Sequence, residues 1–180
     1  NSKGQFLQPE KTLVLDEETT SIALKNVSKK PAISLLNSFS APVIVEFKQS
    51  IDDLFAILEF ETDFTSVWMT KKKLDYIVLE KIASDQPNVE NVISRVYEIL
   101  INKMDKRLLL AKLLEPINDN EYFSRLLETT TPDPKTIQTD LRKYKDLYKR
   151  YFKGFSITYF KSFIHNRQYL RENSNYQERL

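Results

Sequence analysis

Few residues in this chain could do chemistry. It holds one histidine, His165, and no cysteine. A zinc site draws on several imidazole or thiolate ligands, so His165 as a lone ligand is disfavoured and an H-E-x-x-H helix is excluded. Nucleophilic catalysis has no G-x-S-x-G and no Cys-His pair to rest on, and no particular serine is selected as a partner for His165. Two glycines in 180 residues leave no Gly-rich phosphate loop. Two carboxylate pairs occur. Glu17 and Glu18 fall in a polar loop, and Asp52 and Asp53 fall in the first turn of a helix, where negative charge suits the macrodipole. Both read as structural.

The stretch "LRKYKDLYKRYFKGF" interleaves cations with rings, a composition that could stack bases and neutralise phosphates. Its aromatics, Tyr144, Tyr148, Tyr151 and Phe155, nevertheless step by about one helical turn and share a face, while Arg142, Lys143, Lys145 and Lys149 lie mostly elsewhere. The preferred reading is a buried aromatic stripe with a solvated basic face. The sequon "NVS" at Asn26 to Ser28 matters only in a secretory compartment. No catalytic, cofactor-binding or metal-binding residue is therefore assigned.

The elements that would position these residues change character along the chain. "KTLVL" (Lys11 to Leu15) and "TSIAL" (Thr20 to Leu24) alternate at period two around "DEET", as a hairpin does. Further strands are expected at Ile33 to Leu36 and Val43 to Phe47. "NSKG" reads as a turn, so the chain is expected to begin inside a hairpin. From Ser50 the period becomes helical. Ser50 and Asp53 have capping-box spacing ahead of Ile51, Leu54, Phe55 and Leu58. Asp63 is expected to cap a helix bearing Val67, Trp68, Leu74, Ile77, Val78 and Ile82. Val89, Val92, Ile93, Val96, Tyr97 and Leu100 mark a third helix. Asp105 starts a fourth, which Pro116 closes, and Asp119 or Asn120 opens a fifth with Tyr122, Phe123, Leu126 and Leu127. Asp133 caps, and Pro134 begins, a long sixth helix. Gly154 is placed to kink or split it before His165.

Bulk composition agrees with a folded, mainly helical chain. Apolar residues make up 41% and charged residues 29%, enough to bury a core. The net charge of +2 favours neither nucleic acid nor an anionic membrane. Neither is expected as a partner. No membrane-length apolar run and no signal-peptide pattern is seen, and the lack of cysteine fits a reducing cytoplasm, the expected compartment.

One stretch goes further. "LDEETTSIALKNVSKKPAISLLNSFSAPVIVEF" resembles a segment of the bacterial aminopeptidase N family, the zinc-dependent alanyl aminopeptidases. The matching residues are Asn26, Val27, Pro31, Ser34 to Leu36, and Phe39 to Val43. Leu54, Leu58, Asp63, Phe64 and Trp68 follow in the family's order and similar spacing. "LLEPINDNEYFSRLLETTTPDPKTI" is similar to the family's passage from a short helix through a turn into a long helix. Asn37 and Val67 depart from it, each standing where the family usually has Arg. The resemblance spans most of the chain and is strongest from Leu15 to Trp68.

This resemblance implies a mainly α fold with a small β part. Residues 1–48 would end an Ig-like β-sandwich, and 49–180 would begin an antiparallel, superhelix-like helical domain. In the family that domain caps the catalytic domain and encloses the peptide cavity. Zinc and the H-E-x-x-H-x18-E and G-x-M-E-N motifs would lie upstream, so no catalytic residue carries over. The implied partners are the catalytic domain and, in the parent enzyme, a peptide substrate. Self-association through an uncovered strand edge is expected for the chain alone. Two alternatives stay open: a free-standing helical interaction module, and single-stranded nucleic-acid binding through the basic helix.

Overall fold

The computed structural model describes residues 12, 17–21, 23, 30–39, 43, 45–103, 107–127 and 133–151. These are mostly helical: α1 (Ile51–Phe60), α2 (Phe64–Ala83), α3 (Val89–Lys103), α4 (Arg107–Leu113), α5 (Asp119–Leu127) and α6, described over 134–151. No strand occurs among the described residues. No helix among them is long and apolar enough to cross a membrane.

Helix starts follow local chemistry. The Ser50 hydroxyl accepts the Asp53 N–H at 3.1 Å, and the Asp53 carboxylate accepts the Ser50 N–H at 3.1 Å, the reciprocal capping box its spacing predicts. Asp63 caps α2 by accepting the Ser66 N–H at 2.8 Å. Asp133 caps α6 through Thr136 N–H at 3.0 Å, with Pro134 in the first helical position. α5 opens at Asp119, one of the two expected starts. Asn118 accepts the Glu121 N–H at 2.9 Å, and Asp119 is the first helical residue.

The described residues form two compact units. The first comprises residues up to Leu74 and from Glu98 to Glu115. Its buried apolar residues include Leu54, Phe55, Ile57 and Leu58 of α1, Val67 and Leu74 of α2, Leu100 of α3, and Leu110 and Leu113 of α4. Each such side chain contributes about 1.5–3 kcal/mol when fully buried. The Lys103 ammonium donates to the Leu58 carbonyl at 2.7 Å, placing a cation on one of the last carbonyls of α1. Lys71 is buried and donates to the Glu115 carbonyl.

The expected strands at Ile33 to Leu36 and Val43 to Phe47 are not found among their described residues. Residues 31–35 are irregular and lead into a 3₁₀ turn at Asn37–Phe39. Leu36 and Ser38 adopt φ of 57° and 54°, which takes the backbone out of the extended region. Ile33, Leu35, Val43, Val45 and Phe47 keep their period-two spacing, and all are exposed. The expected hairpin at Lys11 to Leu24 and the start of α4 at Asp105 lie outside the described residues, apart from scattered positions of the hairpin.

The second unit comprises Asp75–Tyr97 and the described residues from Pro116 on. The turn from α2 to α3 uses no glycine. Gln86 N–H bonds the Lys81 carbonyl at 2.8 Å and Asp85 N–H bonds the Ile82 carbonyl at 3.1 Å, a Schellman pattern with Asp85 at φ 50°. Pro87 follows, where it cannot continue the helix. On α3 the expected face is buried from Val92 to Leu100, with Val89 half-buried. On α5 only Tyr122 of the expected face is buried, and Phe123 and Leu127 are exposed.

Candidate functional site

The residues with chemical potential serve mainly as caps and packing groups. Glu17 and Glu18 are exposed in an irregular stretch. Asp53 holds the capping box, and Asp52 is an exposed first-turn residue of α1. On α6, Tyr144 and Tyr148 are buried and Tyr151 is half-buried, while Arg142, Lys143 and Lys149 are exposed. That is the aromatic stripe and solvated basic face its spacing predicts. His165, Phe155 and the Asn26 sequon lie outside the described residues.

The densest polar cluster is one that sequence reasoning did not find. Asp75 of α2, 2% exposed, accepts a hydrogen bond from the Tyr148 hydroxyl of α6. The Tyr144 ring sits 4.7 Å from that of Tyr148, and the Tyr97 ring of α3 meets Tyr148 edge-on at 5.6 Å. Tyr151 stacks on Tyr97 at 6.4 Å. The Tyr144 hydroxyl accepts the Ile117 N–H at 3.1 Å, tying the segment before α5 to α6. The Tyr97 hydroxyl is buried and finds no hydrogen-bond partner among the described residues.

Burial, then the Asp75 charge, pushes the phenols of Tyr97, Tyr144 and Tyr148 well above their ordinary value. They hold their protons and act as donors or acceptors, never as bases. Tyr144 is fully buried, and Tyr97 and Tyr148 are 5% exposed, so a substrate has no access to them. A second anchor lies at Tyr76. Its hydroxyl donates to Glu121 at 3.0 Å and its ring stacks under the Arg125 guanidinium at 4.0 Å. Burial and the Glu121 bond raise that phenol to about 12.

An open groove of about 500 Å³ in the second unit is lined by charged groups from the α2–α3 turn and α6. Most of its charges are paired within the protein. Arg150 pairs with Glu90 at 2.7 Å and Lys143 with Asp85 at 3.7 Å, while Lys81 donates to Gln86 at 3.3 Å. A ligand there would have to displace these contacts. No group of three or more His, Cys, Asp or Glu able to hold a metal occurs among the described residues.

Residues 1–48 match a family described as a domain of unknown function, DUF3458, with an Ig-like fold. This domain is found in aminopeptidase N-type proteins. No curated protein and no solved structure is significantly similar to the chain.

Proposed function

We propose that this chain supplies a non-catalytic part of a zinc-dependent aminopeptidase: the end of an Ig-like domain and the beginning of the helical domain that caps the catalytic domain and walls the substrate cavity. The observation that carries this reading is the order of parts. The Ig-like family match ends at residue 48, and α1 begins at Ile51 behind its own capping box. The aminopeptidase N resemblance runs through that junction, from Leu15 to Trp68.

The use of the polar residues supports it. Asp53, Asp63 and Asp133 cap helices, and Asp75 anchors a tyrosine cluster. The parent enzyme's zinc finds no ligand set here, since the whole chain has one histidine and no cysteine. Peptide hydrolysis would be the work of a domain upstream, and this part would supply shape. The exposed apolar series Ile33, Leu35, Val43, Val45 and Phe47 is surface that the parent would cover.

Two measurements test the reading. The purified chain, given zinc and an aminoacyl reporter substrate, should show no turnover above blank, and robust hydrolysis would refute the non-catalytic role. The reading frame upstream of Asn1 should encode H-E-x-x-H-x18-E. A start codon immediately before Asn1 would favour the helical interaction module instead.

A further inference from the structure

The segment before the helices is held in a costly conformation. Leu36 and Ser38 both sit in the left-handed region, which their Cβ atoms disfavour and which glycine or asparagine would occupy more readily. Between them, the Asn37 side-chain oxygen is buried with no hydrogen-bond partner among the described residues. Among the described residues, the contacts that compensate come from outside the turn.

Those contacts come from α2 and from the residues that lead into α1 and α2. The Ser38 hydroxyl donates to Asp63 Oδ1 at 3.1 Å. Gln49 Nε2 donates to the Ile33 carbonyl at 3.0 Å, and the Lys73 ammonium of α2 donates to Gln49 Oε1 at 2.7 Å. The other oxygen of the same carboxylate, Asp63 Oδ2, accepts the Ser66 N–H and so caps α2. Glu61 fixes the corner by accepting the N–H groups of Thr62 at 2.7 Å and Asp63 at 3.0 Å.

We propose that residues 33–39 form a strained strap latched onto the start of α2 by Asp63, and that the strap and the first turn of α2 open and close as one unit. One carboxylate holds both, so loss of the strap frees the carboxylate to turn away from the helix end. The strap belongs to the Ig-like match and α2 to the helical part, so the latch couples the conformation of the two sequence regions. This coupling does not depend on the enzyme reading.

Amide hydrogen exchange on the full chain tests it, with the Leu100 amide of α3 as an internal control for global unfolding. Ser38→Ala removes the hydroxyl donor of the latch, keeps the Ser38 backbone N–H that also faces Asp63, and leaves every atom of the α2 cap in place. It should speed exchange by about fivefold, the factor for one lost hydrogen bond, at the strap amides and also at Ser66 and Val67. Asp63→Ala should speed both regions as well. Leu36→Gly, which relieves the left-handed strain, should slow both. Faster exchange in Ser38→Ala at the strap alone would overturn the coupling. A strap unchanged in both Ser38→Ala and Asp63→Ala would overturn the latch.

Discussion

Tyr148 donates its phenolic hydrogen to Asp75, joining α6 to α2 across 73 residues of sequence. Both groups are buried, so their bond replaces part of the solvation that water no longer provides. Tyr148→Phe deletes one hydrogen-bond donor to the buried carboxylate. It should lower stability by about 1–3 kcal/mol, read as a lower urea midpoint at unchanged slope.

Tyr97 is the counter-case in the same cluster. Its hydroxyl is buried without a hydrogen-bond partner among the described residues, while its ring packs on Tyr148 and Tyr151. Tyr97→Phe keeps the ring and removes the unsatisfied group. The variant should be as stable as the parent or more stable by up to about 1 kcal/mol. A loss matching that of Tyr148→Phe would show that the Tyr97 hydroxyl does have a partner.

Three helix caps contribute stability that acid removes. Hydrogen bonds from Ser50 hold the Asp53 carboxyl below its ordinary value of 3.8, and those from Thr136 do the same for Asp133. At Asp63 burial pushes upward, but hydrogen bonds from Ser66 and Ser38 outweigh it. A depressed folded value means that the stabilisation is present above the unfolded value and lost as pH falls through the folded one. The melting temperature should therefore not fall on account of these caps until pH drops below about 4, and then decline. Asp63→Asn keeps a capping oxygen and should flatten that decline.

The exposed alternation of Val43, Val45 and Phe47 should make the isolated chain self-associate. Sedimentation velocity should show a concentration-dependent shift to larger species. Val45→Lys with Phe47→Lys should abolish the shift and leave the helical circular dichroism intact. A parent chain that stays monomeric at high concentration would count against this surface as a contact.

The helical part could largely be read in advance, because its signals are local. Ser50 with Asp53, Asp63, and Asp133 with Pro134 mark helix starts through hydrogen bonds that reach only three residues. The face of α3 from Val92 to Leu100 was visible for the same reason: helical geometry makes apolar periodicity a direct record of burial. The expected strands fared differently. A strand needs a partner ladder, and the same alternation in Ile33 and Leu35 ends in a left-handed turn that no local propensity marks.

What the sequence by itself determined is where helices start, which faces are mainly apolar, and that zinc chemistry lacks its ligands in this chain. What only the tertiary structure decided is the role of the polar residues on buried faces. Lys71 and Asp75 interrupt the apolar stripe of α2, yet both are buried, since each meets a partner 44 and 73 residues away in Glu115 and Tyr148. Periodicity counts hydrophobicity along one helix. A buried charge is tolerated only through the group that solvates it, and that group is brought near by the fold alone.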